Sequence, residues 1–224
     1  MRLAQLIAGR AREIGIQLEP AKTVQLEEFI EVILKYNGKA HLTSLRTSAS
    51  VVDELLVDSI AVSLIDGFWE ARRCIDIGAG GGFPSFPLAL ISDIQSWVAV
   101  DRDKRKAGFL RIAKQRLGAT NYQVLHADIN QIAHTEGIRS EFDLVTMRAL
   151  RLDEGLLTSV KCVLRREGRV VLFKHRETGS ELVVYGGSSP ETDRSIERKV
   201  EFEGGSRRIR IVCREIDQLP GAVK

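Results

Sequence analysis

The residues best suited to chemistry lie in one short run, CIDIGAGGGFPSFPLAL, from Cys74 to Leu90. An apolar segment runs into Asp76, and glycines follow at 78, 80, 81 and 82. A glycine-rich turn at the carboxyl end of a strand lets backbone come close to a nucleotide-like ligand, because a Cβ there would collide with it. A dinucleotide fingerprint requires GxGxxG ahead of a helix N-terminus that takes a pyrophosphate, yet Phe83 stands where its third glycine belongs. The spacing fits DxGxGxG instead, through Asp76, Gly78, Gly80 and Gly82, the pattern of loops that hold S-adenosylmethionine. Its zwitterionic methionine end needs no phosphate cradle. Asp76, the three glycines and Phe83 are therefore expected to touch that cofactor.

Two further acids sit at the ends of apolar runs. Asp101 closes SWVAVD, at the distance along the chain where α/β nucleotide folds place a carboxylate to accept both ribose hydroxyls. It also precedes a helical stretch, where acids are favoured in any case; the glycine loop upstream favours the ribose role. Asp128 ends YQVLHAD, and it either reaches the adenine amino group or caps the following helix.

These residues need a scaffold, and hydrophobic periodicity outlines one. Stripes at helical spacing occupy the first third: Leu3, Leu6, Ile7 and Ile14; then Leu26, Phe29, Ile30, Ile33 and Leu34; then Val51, Val52, Leu55, Leu56, Ile60 and Leu64. Pro20 stands where a helix start tolerates proline. After Arg73 short apolar runs alternate with amphipathic ones. RCIDIG, SWVAVD, YQVLHAD, FDLVTM and GRVVLFK read as strands, and 104–117 and 153–164 as helices. Such alternation predicts a parallel sheet covered on both faces. SIERKVEFEG and RRIRIVCRE alternate like a hairpin and bring the expected strand count to seven. The division expected is a helical extension over 1–70 and an α/β domain over 71–224.

Composition limits the alternatives. With 224 residues, 44% of them hydrophobic, the chain can bury one generous core. A net charge of +3 permits a polyanionic partner without requiring one. Three widely spaced cysteines, Cys74, Cys162 and Cys213, lack any CxxC pairing and the four histidines are scattered, so neither a disulfide frame nor a metal site is expected. Arginines interrupt the first apolar run, and no run is long enough to cross a bilayer; a cytoplasmic, membrane-free protein is expected.

The strings DIGAGGGFPSFPLAL, VDRDKRKAGFL, FDLVTMRAL and VVLFK, with KYNGKAHLTSLR and VDS upstream, resemble the ribosomal RNA small-subunit methyltransferase G family, also called glucose-inhibited division protein B. The likeness runs from about Lys35 to Lys174 and extends weakly into the tail hairpin. It implies a Rossmann-like class I methyltransferase with a helical extension. S-adenosylmethionine is the implied methyl donor, and N7 of a guanine in 16S rRNA, naked or in the small subunit, the implied acceptor; a monomer is expected. The chain differs from the family pattern at His41, Leu55, Met147 and His175, all near the expected substrate face.

Absent motifs agree with that acceptor. An exocyclic amine commonly calls for an Asn/Asp-Pro-Pro-aromatic turn after the fourth strand, where this chain has Thr146-Met147-Arg148-Ala149. A pyrimidine carbon needs a cysteine nucleophile, and Cys162 falls within an expected helix. Guanine N7 offers an in-plane lone pair and loses no proton, so it demands only position and desolvation. Arg148 and Lys174, at the ends of the fourth and fifth strands, are expected to grip the guanine, with Arg148 also near the cofactor. Lys104 and Arg105, with Arg102, Arg151, His175 and Arg176 along the rim, are expected to meet RNA phosphates, and Lys106, Arg111, Lys114 and Arg116 to form a solvated helix face. Asn37, His41 and Thr43 form a polar loop over the site, His41 also suiting a turn or cap. A ribose hydroxyl or small-molecule acceptor, with Lys174 as base, stays open, as does a paralogue that binds without turnover.

Overall fold

The computed structural model describes residues 2–176, 179–186, 195–202, 205–215 and 218–219. Two helices open the chain, α1 (Leu3–Glu13) and α2 (Pro20–Ala40), the second starting on Pro20, whose missing N–H would have no partner in a first turn anyway. Residues 48–64 are helical throughout but change winding three times. After α3 (Ser48–Val51), capped by the Thr47 hydroxyl at 3.1 Å from the Ser50 amide, comes a π turn at Val52–Leu56, then α4 (Val57–Ile60) and a 3₁₀ turn at Ala61–Leu64. A single helical stripe was expected there; the π turn inserts extra backbone and rotates Asp58 toward the sheet.

The rest is a sheet with helices on both faces. The strands are β1 (Arg73–Ile77), β2 (Ser96–Asp101), β3 (Tyr122–His126), β4 (Phe142–Arg148), β5 (Leu164–Arg176), β6 (Gly179–Tyr185), β7 (Ser195–Phe202) and β8 (Gly205–Arg214). Their order is β3-β2-β1-β4-β5-β6-β8-β7. The first five are mutually parallel, β6 runs antiparallel to β5 and parallel to β8, and β7 closes a hairpin with β8. This is the α/β class expected, with eight strands described where periodicity singled out seven. The additional one is β6. It is buried at every position between two neighbours, so it lacks the alternation that betrays a half-exposed strand.

The crossover helices are α5 (Ser85–Ile91), α6 (Lys104–Leu117), α7 (Ile129–Ile132) and α8 (Glu154–Val163). Two apolar clusters flank the sheet. The larger joins α1, α2, the 48–64 segment, α5 and α6 to one face, and Phe29 of α2 stacks on Phe86 of α5 with ring centroids 4.4 Å apart. The smaller places α7 and α8 on the other face. Strand order reverses between β1 and β4, and the carboxyl ends of those strands leave the crevice where open α/β sheets bind ligands.

Candidate active site

A cleft of about 680 Å³ opens at that crevice, its floor made by the loop after β1. The Gly78 and Ala79 amides donate to the Val100 carbonyl at 2.8 and 3.1 Å, fastening the loop to β2. Gly80 has φ +56, and a Cβ added to it would meet nothing nearer than 3.8 Å, so its backbone lies open to the cleft. Its amide donates to Asp101 Oδ2 at 2.7 Å, while Asp101 Oδ1 accepts from the Asp103 amide at 2.8 Å. One carboxylate thus fixes the loop and the entry to α6, and still lines the cleft.

Of the residues expected to form the site, Gly78, Gly80, Phe83, Asp101, Asp128, Arg148 and Thr43 line the cleft. Asp128 caps α7, its side chain accepting from the Asn130 amide at 2.9 Å, and it also lines the cleft. Thr43 is presented by a loop whose backbone Asn37 holds.

The others lie elsewhere, for identifiable reasons. Gly82 packs behind the loop, where a Cβ would fall 2.9–3.2 Å from Leu110, Phe86 and Phe29; its lack of a side chain serves helix packing. Asp76 is buried beneath the loop, accepting from the Ser85 hydroxyl at 2.5 Å and the Thr146 hydroxyl at 2.9 Å. With the Ser85 proton so committed, the Tyr122 hydroxyl donates to Ser85 Oγ at 2.7 Å. Burial pushes the Asp76 carboxyl up to about 6, against the pull of those hydroxyls, and drives the Tyr122 phenol well above its usual value.

Asn37 is consumed internally: Oδ1 accepts from the Leu42 and Thr43 amides at 2.9 and 3.0 Å, and Nδ2 donates to the Thr43 and Leu45 carbonyls at 2.9 and 3.2 Å. His41 ends α2 in the left-handed region, φ 50, and points to solvent off the cleft wall. Lys104 and Arg105 are exposed on the first turn of α6 and off the cleft wall, whereas helix rotation turns Lys106, expected on a solvated face, onto it; Arg102 and Arg151, expected along the rim, line it too. Asp103 caps that helix, and the Arg105 amide holds its carboxyl below the usual range. Lys174 is exposed on β5, in register with Glu181 and off the cleft wall. The side chains of His175 and Arg176 lie outside the described residues.

Arg148 reaches the cleft wall but is held from the side. Its Nη2 donates to Asp58 Oδ2 at 3.0 Å and to the Glu54 carbonyl at 2.8 Å, and its guanidinium sits 5.2 Å from the Phe173 ring centre. Asp58, with no exposed surface, also accepts from the Ser180 hydroxyl at 2.7 Å. The expected grip on a substrate is in this geometry a clasp between helical extension and sheet. Leu55, expected near the substrate face, lines the cleft, whereas sequence reading missed Leu42 and Leu150 as cleft residues. Leu150, an apolar side chain between two arginines just past a strand end, was the one detectable signal.

The family model for rRNA small subunit methyltransferase G matches residues 22–208. The chain belongs to that family. A relative named ribosomal RNA small subunit methyltransferase G in Geobacter sp. (strain M21) is 32% identical over 80% of this chain and 80% of its own length. Another of that name in Clostridium botulinum (strain Eklund 17B / Type B) is 28% identical over 67% of this chain and 63% of its own. Among solved structures, a SAM-dependent methyltransferase from Aquifex aeolicus is similar at TM-score 0.48 and 19% identity, over 58% of this chain and 71% of that one. Family membership makes S-adenosylmethionine the cofactor. The cleft fits it: bare backbone at Gly80, a carboxylate at the end of β2 and a second at the end of β3 surround one cavity. Among the described residues, no group of three or more His, Cys, Asp or Glu side chains is arranged to hold a metal ion.

Proposed function

We propose that this protein methylates N7 of a guanine in 16S rRNA, acting on the RNA or the small subunit. The observation that carries this reading is a member of the rRNA small subunit methyltransferase G family whose Gly80 amide and Asp101 carboxylate meet at 2.7 Å on the floor of an open cleft. S-adenosylmethionine supplies a methyl group on a sulfonium centre. In this reading the backbone of Gly78 and Gly80 holds its methionine end, Asp101 accepts from the ribose hydroxyls and Asp128 lies on the adenine side, with Phe83 as apolar backing. Asp76 and Gly82 shape the loop from beneath. Arg148 positions the acceptor wall through Asp58, while Lys106 and Arg102 meet phosphate.

No general base is required, since the N7 lone pair attacks without losing a proton. A ribose hydroxyl would require one, and Lys174, the base that alternative needs, lies off the cleft wall. We read residues 1–70 as an extension that supplies one wall through Leu42, Thr43 and Leu55, and 71–224 as the methyltransferase domain. We read the protein as a cytoplasmic monomer; its three free cysteines suit a reducing compartment, and no described helix is long and apolar enough to cross a membrane. Labelled methyl transfer to small subunits and to naked 16S rRNA lacking the modification, mapped by N7-specific cleavage, tests the reading. Label at one guanine N7 is expected; label at a ribose oxygen, or none while cofactor still binds, overturns it.

A further inference from the structure

Four leucines line the cleft, and three of them, Leu42, Leu55 and Leu150, reach it from three elements on one side, while Leu156 comes from α8. Leu42 comes from the loop after α2; its amide donates to Asn37 Oδ1 at 2.9 Å, and its carbonyl and Cβ lie 3.3 and 3.4 Å from where a Cβ on Gly81 would be. Leu150 follows β4, and its methyl groups lie 2.8 Å from the corresponding position on Gly78. Leu55 belongs to the π turn, next to Glu54, whose carbonyl accepts from Arg148. Leu42 and Leu150 therefore rest on the glycine loop, and Leu55 and Leu150 are tied to the same end of β4. Asp101 and Asp128 approach from β2 and β3, and in the sheet order β1 separates those strands from β4.

The backbone keeps this arrangement in place. Ala149, between Arg148 and Leu150, adopts φ 56, a conformation that costs a residue with a Cβ and turns the chain back over the loop. Leu150 nevertheless stays 39% exposed, so its apolar surface is open to whatever enters. Phe83 is the only aromatic among the described cleft residues and is only 7% exposed, which leaves no pair of rings for a base to stack between. Aliphatic side chains can take that part, making dispersion contacts with the faces of a flat ring and excluding water from its edge. They carry no charge to oppose the cation that N7 methylation creates. Of the three arginines that line the cleft, Arg148 is held by Asp58.

We propose that Leu42, Leu55 and Leu150 form an aliphatic clamp that grips the purine ring of the acceptor on the β4 side of the cleft. This deepens the function proposed above and rests on it for the identity of the ring. The clamp replaces aromatic stacking as the source of base orientation; its substrate is a flat, neutral heterocycle flipped away from its neighbours.

The test is a titration of the full chain, carrying ¹³C-labelled leucine methyl groups and saturated with S-adenosylhomocysteine, with guanosine monophosphate or ribose 5-phosphate. Guanosine monophosphate is expected to move the methyl signals of all three leucines upfield by ring current, and ribose 5-phosphate to leave them in place. The proposal is overturned if the nucleotide moves none of them, or if S-adenosylhomocysteine alone produces the whole shift, which would assign the leucines to the cofactor's methionine arm. With 16S rRNA, Leu150→Ala and Leu55→Ala are expected to lower kcat/KM for RNA by about tenfold or more, with S-adenosylhomocysteine affinity changed by less than about twofold. Leu150→Met should retain most activity. Equal losses in cofactor affinity and transfer count against the clamp. If the unaltered protein methylates no small-subunit RNA, the functional reading fails while the nucleotide titration still decides the clamp.

Discussion

Asp58 and Asp76 are almost equally sealed from solvent, at 0% and 1% exposure, but their surroundings are opposite in kind. Asp58 faces a guanidinium, Arg148 at 3.0 Å, and the Ser180 hydroxyl. Asp76 is met by neutral donors, the hydroxyls of Ser85 and Thr146 and the Ser85 backbone amide. Hydroxyl dipoles repay less of the cost of burying a charge than a cation does, so burial wins at Asp76 and its carboxyl rises to about 6. The two acids also serve different spans of chain. Asp58 joins residues 48–64 to β4 and β6, where a charged pair fixes one relative placement; Asp76 joins β1 to β4 and to the start of α5 beneath the glycine loop.

The largest effect should come from breaking the charged member of this comparison. Arg148→Met leaves Asp58 buried without its cation and should lower unfolding stability by about 3 kcal/mol, the low end for a buried pair because the arginine is partly exposed. Urea denaturation reads this directly, and a loss below about 1 kcal/mol would mean the clasp is not structural.

Asp76→Asn probes the neutral member through pH. The folded carboxyl titrates near 6 against an ordinary value of 3.8, so the folded state holds its proton more tightly. The resulting stability is fully present below about pH 4 and is lost as pH rises through 6. Relative to Asp76→Asn, the natural protein should therefore lose on the order of 3 kcal/mol between those limits. A difference that stays flat with pH would show that Asp76 is ionised throughout.

The smallest change is expected at the half-buried acid in the cleft. Asp128→Ala removes the cap of the short helix α7 at a cost of about 1 kcal/mol. Calorimetry should show S-adenosylmethionine affinity falling by several-fold. Unchanged affinity would reduce Asp128 to a cap alone.

Much of the scaffold was legible because its signals are local. The bounds of β2 and α6 coincide with the apolar runs read from the chain, since alternation and helical spacing report directly on strand and helix. Strand β6 escaped because burial on both faces erases alternation. In the site, Asp101 was legible as a strand-end carboxylate opposite a glycine loop, and Asp128 as cap or ligand contact. Asp76 and Gly82 carried the same motif and turned inward, because the motif specifies backbone path and not which face of the loop each residue meets. Asn37 looked like a substrate contact by its chemistry, and its four hydrogen bonds are spent on its own loop.

By itself, then, the sequence determined the βαβ alternation, the glycine loop, the carboxylates that end β2 and β3, and through them the cofactor, since each depends on residues a few positions apart. The tertiary structure alone decided which polar groups the protein consumes and which it presents. Arg148 and Asp58 stand 90 positions apart, and Ser180 lies 122 from Asp58. No local periodicity encodes such a meeting, and only the packing of the helical extension onto the sheet brings these groups within hydrogen-bond reach.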